Sequence, residues 1–390
     1  MTDTQGTTEI HGTCADGFEP VRDAFAASFE RGLETGASVC VTRDGVPVVD
    51  LWAGAADRTG RPWARDTIVN VWSTTKTMAA VVMLHAADRQ LIDLDAPVAD
   101  VWPEFAAHGK SSVLVRHVLA HSAGLPGWAP PIAPRDLADA ERVSAVLAAE
   151  ELWWEPGTMS GYHALTQGFL EGEIIRRATG RTLGTYFRDE IAGPLGADFH
   201  IGLPETEEAR VAELIPPDAP LAGGTNRLTG GDTTSDIGAR VLRSCPITGD
   251  EPNERWWRAA EIPAAGGTGN ARSIGRVHAA LACGGELDGV RILSVPTLDR
   301  ILEEQTNGTD AVLSWPMRYG IGFGLMSDAT PLSPSARAFF WGGWGGSIAL
   351  IDRDQAMTAT YTMNRMGSGL GDMRGIGVVF AANAAVAALG

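Results

Sequence analysis

Ser73 and Lys76 stand three residues apart in the stretch Val71-Trp72-Ser73-Thr74-Thr75-Lys76. On a helix, that spacing puts two side chains on one face. A serine hydroxyl is a poor nucleophile at neutral pH and needs a base beside it. A lysine amine becomes such a base when burial or a neighbouring cation lowers its pKa. This chain hardly uses lysine: of 31 basic residues only Lys76 and Lys110 are lysines, and the rest are arginines. Arginine does not release its proton, so a lysine at position 76 points to proton transfer. A serine at a helix start also lays its own N–H where an oxyanion can form. Alone, the spacing fits equally well a surface lysine that follows an N-cap serine.

The pair needs a helix that begins at Ser73. Residues 77 to about 90 are apolar and alanine-rich, which predicts a buried helix there. Earlier, residues 17–34 set Val21, Phe25, Phe29 and Leu33 at helical spacing, with Gly36 beyond the end. Two β-rich runs then flank Asp44-Gly45 and predict a hairpin. From about 90 to 260, helical patterns at 164–179 and 182–191 are separated by Pro- and Gly-rich turns at 121–134, 153–162 and 214–224. From about 290 short β-like runs return, and "MRGIGVVFAANAAVAAL" closes the chain as a helix. The expected class is α+β. Residues 1–72 and 262–390 are expected to build one lobe, an antiparallel sheet flanked by the first and last helices. Residues 73–261 are expected to form a mainly helical second lobe. Ser73 falls at the crossing between them, and clefts of this kind house small-molecule sites.

The composition bounds the partners. The chain has 390 residues, 44% hydrophobic and 20% charged, with a formal net charge of −17. Such a surface repels nucleic acid and anionic membranes. No run of 18 apolar residues is present to span a bilayer. The start, "MTDTQGTTEIHGTCADGFEP", lacks the basic and apolar regions of a secretory signal. Cys14, Cys40, Cys245 and Cys283 are far apart and read as free thiols, so a cytoplasmic location is expected.

Ser73-x-x-Lys76 is also the Ser-x-x-Lys pattern of serine β-lactamases and penicillin-binding proteins. Four further segments follow in that superfamily's order: "LVRHVLAHSAGLPG" (114–127), "WEPGTMSGYHALTQG" (154–168), "IPAAGGTGNARS" (262–273) and "FWGGWGGSIALID" (340–352). The chain resembles the superfamily over nearly its whole length, in its class C β-lactamase-like branch and, within that, the family VIII carboxylesterases. The resemblance implies a β-lactamase-like fold. It matches Tyr162 to the tyrosine of the family's Tyr-x-Asn motif, although His163 and Ala164 follow and the asparagine is missing. Tyr162 would then share base duty with Lys76, whose charge is expected to lower the phenol's pKa. The family's Lys-Thr-Gly motif is replaced by Trp341-Gly342-Gly343, as is common in family VIII esterases. The next residue, Trp344, would offer its backbone N–H to the oxyanion together with that of Ser73.

The departures shape the expected activity. In β-lactamases the Lys-Thr-Gly motif helps hold the antibiotic's carboxylate, and the asparagine contacts its side-chain amide. Here tryptophan and glycines leave an apolar wall suited to an uncharged group. The resemblance therefore implies a serine carboxylesterase that hydrolyses short or medium acyl esters through an acyl-enzyme on Ser73. The alternatives are a β-lactamase or D-amino-acid peptidase, an acyltransferase on the same fold, or an inactive penicillin-sensor-like protein. Trp341, Gly342, Gly343, His163 and Asn364 are the candidate substrate contacts. No metal or cofactor is implied: His117 and His121 lie four apart but lack the glutamate of His-Glu-x-x-His and a third ligand. The partner is a small-molecule ester, and no oligomeric state follows from the sequence.

Overall fold

The computed structural model describes residues 8–217, 236–367 and 372–389, with the short paired segments 225–226 and 231–232. Most of the turn expected over 214–224 lies outside the described residues, from 218 onward. Nine strands form one antiparallel sheet. They are β1 (Ile10–Cys14), β2 (Gly36–Arg43), β3 (Val46–Gly54), β4 (Thr306–Thr309), β5 (Pro316–Tyr319), β6 (Gly324–Leu325), β7 (Ala338–Gly342), β8 (Ile348–Asp352) and β9 (Met357–Met363). Their order is β1-β3-β2-β9-β8-β7-β6-β5-β4, so the two ends of the chain meet at the β2–β9 pair.

Both of those strands are buried almost throughout, and neither shows polar alternation. Their hydroxyls are satisfied in pairs across the ladder: Ser38 with Thr362 at 2.8 Å and Thr42 with Thr358 at 2.7 Å. The β2–β3 hairpin turns on Asp44 and Gly45, with φ of 50° and 80°, the positive pair that an Asp-Gly turn favours.

Five helices matter for the site: α1 (Glu19–Glu30), α2 (Thr75–Asp88), α3 (Thr166–Thr179), α4 (Ala271–Ala282) and α5 (Met373–Leu389). Successive residues of β9 show which helix covers which face of the sheet. Thr360 Oγ1 donates to the Ala271 carbonyl of α4, and the next residue, Tyr361, lies against Gly375 of α5. α1 packs with α5 and buries Val21 and Phe25. It is shorter than its pattern predicts, because Gly32 turns out with φ 66° and leaves Leu33 exposed beyond the helix. α2 is buried from Thr75 to Ala86, which explains a composition with no polar face. Between α2 and α3 the chain runs through turns, short 3-10 segments and two further helices, Val115–Leu119 and Ala140–Ala149, with prolines and glycines interrupting the runs. One continuous apolar core joins residues of the sheet, α2 and α3.

Candidate active site

The segment that carries Ser73 is strained at one residue. Trp72 has φ 47°, a conformation that costs a bulky side chain about 1–3 kcal/mol. Several contacts hold it there. Its N–H donates to Asn70 Oδ1 at 3.0 Å, and its carbonyl accepts from Thr75 Oγ1 at 2.5 Å. Its ring packs against Trp257 and Trp344, with centroids 5.3 and 4.9 Å away. The twist delivers Ser73, within the single turn Trp72–Thr74, to the start of α2.

At the second residue of α2, Lys76 points back at that serine. Lys76 Nζ is 3.2 Å from Ser73 Oγ, 2.7 Å from the Ala164 carbonyl and 2.9 Å from the Ala264 carbonyl. Burial pushes its pKa down to about 7, opposed in part by the carboxyl of Glu171 on α3. As a neutral amine, Lys76 gives its two N–H bonds to the carbonyls and turns its lone pair to the Ser73 hydroxyl. Glu171 is itself fully buried, neither oxygen has a hydrogen-bond partner among the described residues, and burial holds its pKa well above the usual carboxylate range. Sequence reasoning missed this residue, because nothing in its spacing distinguishes it from an ordinary helix glutamate.

Tyr162 completes the cluster. Its hydroxyl is 2.5 Å from Ser73 Oγ, and the Lys76 ammonium position lies 4.8 Å from its ring centroid. The expectation that Lys76 lowers the phenol's pKa does not hold. Burial raises it instead, so the phenol stays neutral, and Lys76 is the group with a pKa suited to base duty.

The backbone of Tyr162 is fixed from a distance. Asp310, buried in the turn between β4 and β5, accepts from the N–H groups of Tyr162 at 3.0 Å, Val312 at 2.9 Å and Leu313 at 2.8 Å, and from the Tyr319 hydroxyl at 3.0 Å. His121, kept neutral by burial, lies edge-on to Tyr162 and stacks on Trp341. Asp310 carries no local signal in the sequence, and only the fold brings it to Tyr162. Asp310→Ala would remove a buried acceptor shared by four donors, and should destabilise the protein by about 3 kcal/mol in a denaturant melt.

The opposite wall is the end of β7. Trp341, Gly342 and Gly343 run beside the segment that carries Ser73, and Ser347 locks the two together. Its Oγ donates to the Val71 carbonyl at 2.8 Å and lies 2.9 Å from Thr74 Oγ1. A Cβ on Gly343 would overlap the Val71 carbonyl oxygen and Ser347 Oγ, so glycine is required here by close approach. Gly343→Ala should push this wall off the nucleophile and reduce kcat roughly 100-fold, read in steady-state kinetics at a temperature where the variant is folded. The Trp344 N–H has no acceptor among the described residues.

Two hollows meet at the cluster. A narrow recess of about 60 Å³ is lined by Ser73, Trp72, Trp128, Leu165, Val241 and Trp344. A wider cleft of about 350 Å³ begins at Tyr162 and Trp341 and runs between Trp315, Met317, Leu332 and α5. Two expected substrate contacts are occupied elsewhere. His163 is fully buried, with Nδ1 donating to the Gly161 carbonyl at 2.6 Å and Nε2 accepting from Leu125 N–H at 3.1 Å. Asn364 ties β9 to the β2–β3 ladder, accepting from Gly36 N–H at 2.9 Å and donating to the Ala55 carbonyl at 3.0 Å. His117 and His121 are not brought together with a third ligand; among the described residues no metal-holding cluster of His, Cys, Asp or Glu is present.

A large antiparallel sheet between helices, with Ser, Lys and Tyr converging beside the end of its strand β7, defines a protein of the β-lactamase-like fold. A family model described as Beta-lactamase matches residues 22–383. The esterase/beta-lactamase LipL of Mycobacterium tuberculosis (strain ATCC 25618 / H37Rv) is 35% identical over 373 residues, 92% of this chain and 83% of that protein. The crystal structure of a family VIII carboxylesterase matches with a TM-score of 0.89 at 43% identity, covering 96% of this chain and 99% of that one. A penicillin-binding protein homolog from Caulobacter crescentus matches with a TM-score of 0.88 at 38% identity, covering 97% of this chain and 100% of the other. The chain belongs to the Beta-lactamase family, and it is a hydrolase on that fold.

Proposed function

We propose that this protein is a serine carboxylesterase that works through an acyl-enzyme on Ser73. The observation that carries the reading is Lys76: a buried amine, its two carbonyl contacts satisfied, facing the Ser73 hydroxyl at 3.2 Å. In the first step Ser73 Oγ bonds to the ester carbonyl carbon and its proton passes to Lys76 Nζ. The oxyanion sits between the N–H groups of Ser73 and Trp344. The bond to the alcohol oxygen then breaks. The departing alkoxide takes the Tyr162 proton, and the Lys76 ammonium restores it. In the second step water gives a proton to Lys76 and adds to the acyl carbon. Ser73 Oγ leaves and recovers that proton.

The two hollows support an assignment of the substrate's halves. Ser73 and Trp344 line the narrow recess, so the acyl group lies there and is short. Tyr162, the proton donor to the leaving group, lines both the recess and the wider apolar cleft, so an alcohol portion that extends past Tyr162 from Ser73 enters that cleft and is larger and apolar. Among p-nitrophenyl and naphthyl esters, kcat/KM should fall by about tenfold or more from butyrate to dodecanoate, whereas enlarging the alcohol at constant acyl should not lower it. The test of the reading is intact-mass analysis after mixing with activated short-chain esters and with a phosphonate ester. An adduct that maps to Ser73 supports it, and labelling of another residue overturns it. The name of the Mycobacterium tuberculosis relative favours a second reading, β-lactam hydrolysis, which a chromogenic cephalosporin assayed beside the esters would measure. All four cysteines are free thiols, which supports a reducing, cytoplasmic location.

A further inference from the structure

The loop after β7 is held by a buried arginine that the mechanism above does not use. Arg374, at the start of α5, is 6% exposed and pairs with two carboxylates, Glu34 at 2.9 Å and Asp372 at 2.6 Å. Glu34 is wholly buried and also accepts from the Tyr361 hydroxyl. Burial pushes its pKa up to about 7, opposed chiefly by Arg374. The remaining guanidinium bonds go to backbone carbonyls: Leu33 at 3.0 Å, Arg365 at 2.9 Å and Gly345 at 2.9 Å. The last of these is one residue past Trp344.

The peptide geometry of this loop forms a chain. The Gly345 carbonyl and the Gly346 N–H belong to one planar unit and point in opposite directions. The carbonyl end accepts from Arg374 Nη2, and the N–H end donates to the Gly343 carbonyl at 3.1 Å. That carbonyl belongs in turn to the unit whose other end is the Trp344 N–H. The order is therefore guanidinium, peptide 345–346, peptide 343–344, then the N–H that has no acceptor among the described residues and lies beside the Ser73 recess. Gly345 and Gly346 have φ of 96° and 120°, which lets the loop turn tightly enough for both bonds. Hydrogen bonds in series polarise one another, and a charged donor at the head strengthens the donor at the tail.

We propose that Arg374 is a positioning residue for the oxyanion donor of Trp344, acting through these two peptide units. The inference rests on the acyl-enzyme reading above. Arg374 touches neither substrate nor Ser73; it fixes the plane of a peptide that does. Its loss is felt where negative charge develops on the carbonyl oxygen, in the transition state more than in the bound ester.

The test is Arg374→Lys, which keeps a cation for Glu34 and Asp372 but loses the planar fork. Should that variant not fold, the double variant Glu34→Gln/Arg374→Gln, which neutralises the buried pair together, takes its place. Readouts are kcat and KM on a short-chain p-nitrophenyl ester, the Kd of a short alkyl boronic acid that mimics the tetrahedral state, and the melting temperature. The expected result is a kcat lower by about 10- to 100-fold, KM within about threefold, and boronate affinity weakened in parallel with kcat/KM. A lower melting temperature with kcat and boronate affinity unchanged in the folded variant would mean a purely structural arginine and overturn the proposal. An inactive Ser73→Ala beside an unimpaired Arg374 variant sinks this inference alone, whereas an active Ser73→Ala sinks the acyl-enzyme reading itself.

Discussion

Purified Ser73→Ala is expected to hydrolyse a short-chain p-nitrophenyl ester at least about 10⁴-fold more slowly than the parent, with its melting temperature nearly unchanged. The size of the effect follows from what the substitution removes. Ser73 Oγ lies within hydrogen-bonding distance of both Lys76 Nζ and the Tyr162 hydroxyl, at 3.2 and 2.5 Å. Alanine leaves the base and the phenol in place with nothing to activate. The fold should not suffer, because the strained Trp72 backbone is held by hydrogen bonds to Asn70 and Thr75 and by the surrounding rings, and neither hydrogen bond involves the Ser73 hydroxyl. What remains is binding energy and the oxyanion donors, which alone give residual rates far below turnover. Rates, circular dichroism and intact mass on one preparation decide the matter. Turnover within tenfold of the parent, or an acyl adduct on the variant, would remove Ser73 from the mechanism.

The convergence of Ser73 and Lys76 was legible in the sequence; its support was not. A Ser-x-x-Lys spacing, a rare lysine and a buried alanine-rich helix are properties of one short stretch, so α2 and these two side chains could be placed directly. The chain ends share a sheet because their β-rich runs and closing helix have few other ways to bury their apolar faces. Asp310, Glu171, Arg374 and Glu34 act across separations of tens to hundreds of residues, and each looks in sequence like an ordinary charged surface residue. Asn364 shows the converse: its position near the last strand suggested a substrate contact, but two backbone partners from β2 and the residue after β3 occupy its amide. The protonation of Tyr162 was also beyond sequence reasoning. Proximity to Lys76 argues for a lower pKa and burial for a higher one, and only the packing shows that burial wins.

That result makes Lys76 the second decisive position. Lys76→Arg should lower kcat by about 10³-fold or more, because arginine preserves positive charge and length but holds its proton. If Lys76 served merely as a cation near Ser73, arginine would restore much of the rate, and that outcome would end its role as base. The pH profile gives the same answer from another side. The folded pKa is depressed to about 7, and the active form is the neutral amine. kcat/KM should therefore rise about tenfold per pH unit below 7 and level off above it. The buried neighbours that face the amine are Tyr162, His121 and His163, all held neutral by burial around pH 7, and Glu171 on α3, whose pKa burial pushes well above the usual carboxylate range. Tyr162 and the histidines should add no second step in that window, and Glu171→Gln shows whether the carboxyl does. The composition offers a direct measurement: with only Lys76 and Lys110 in the chain, protein labelled with [ε-¹³C]lysine has two side-chain signals, and Lys110→Arg assigns them. The Lys76 signal should titrate near the midpoint of the rate profile. A midpoint near 10 would mean an ordinary ammonium, and deprotonation of Ser73 would then have to be assigned to another group.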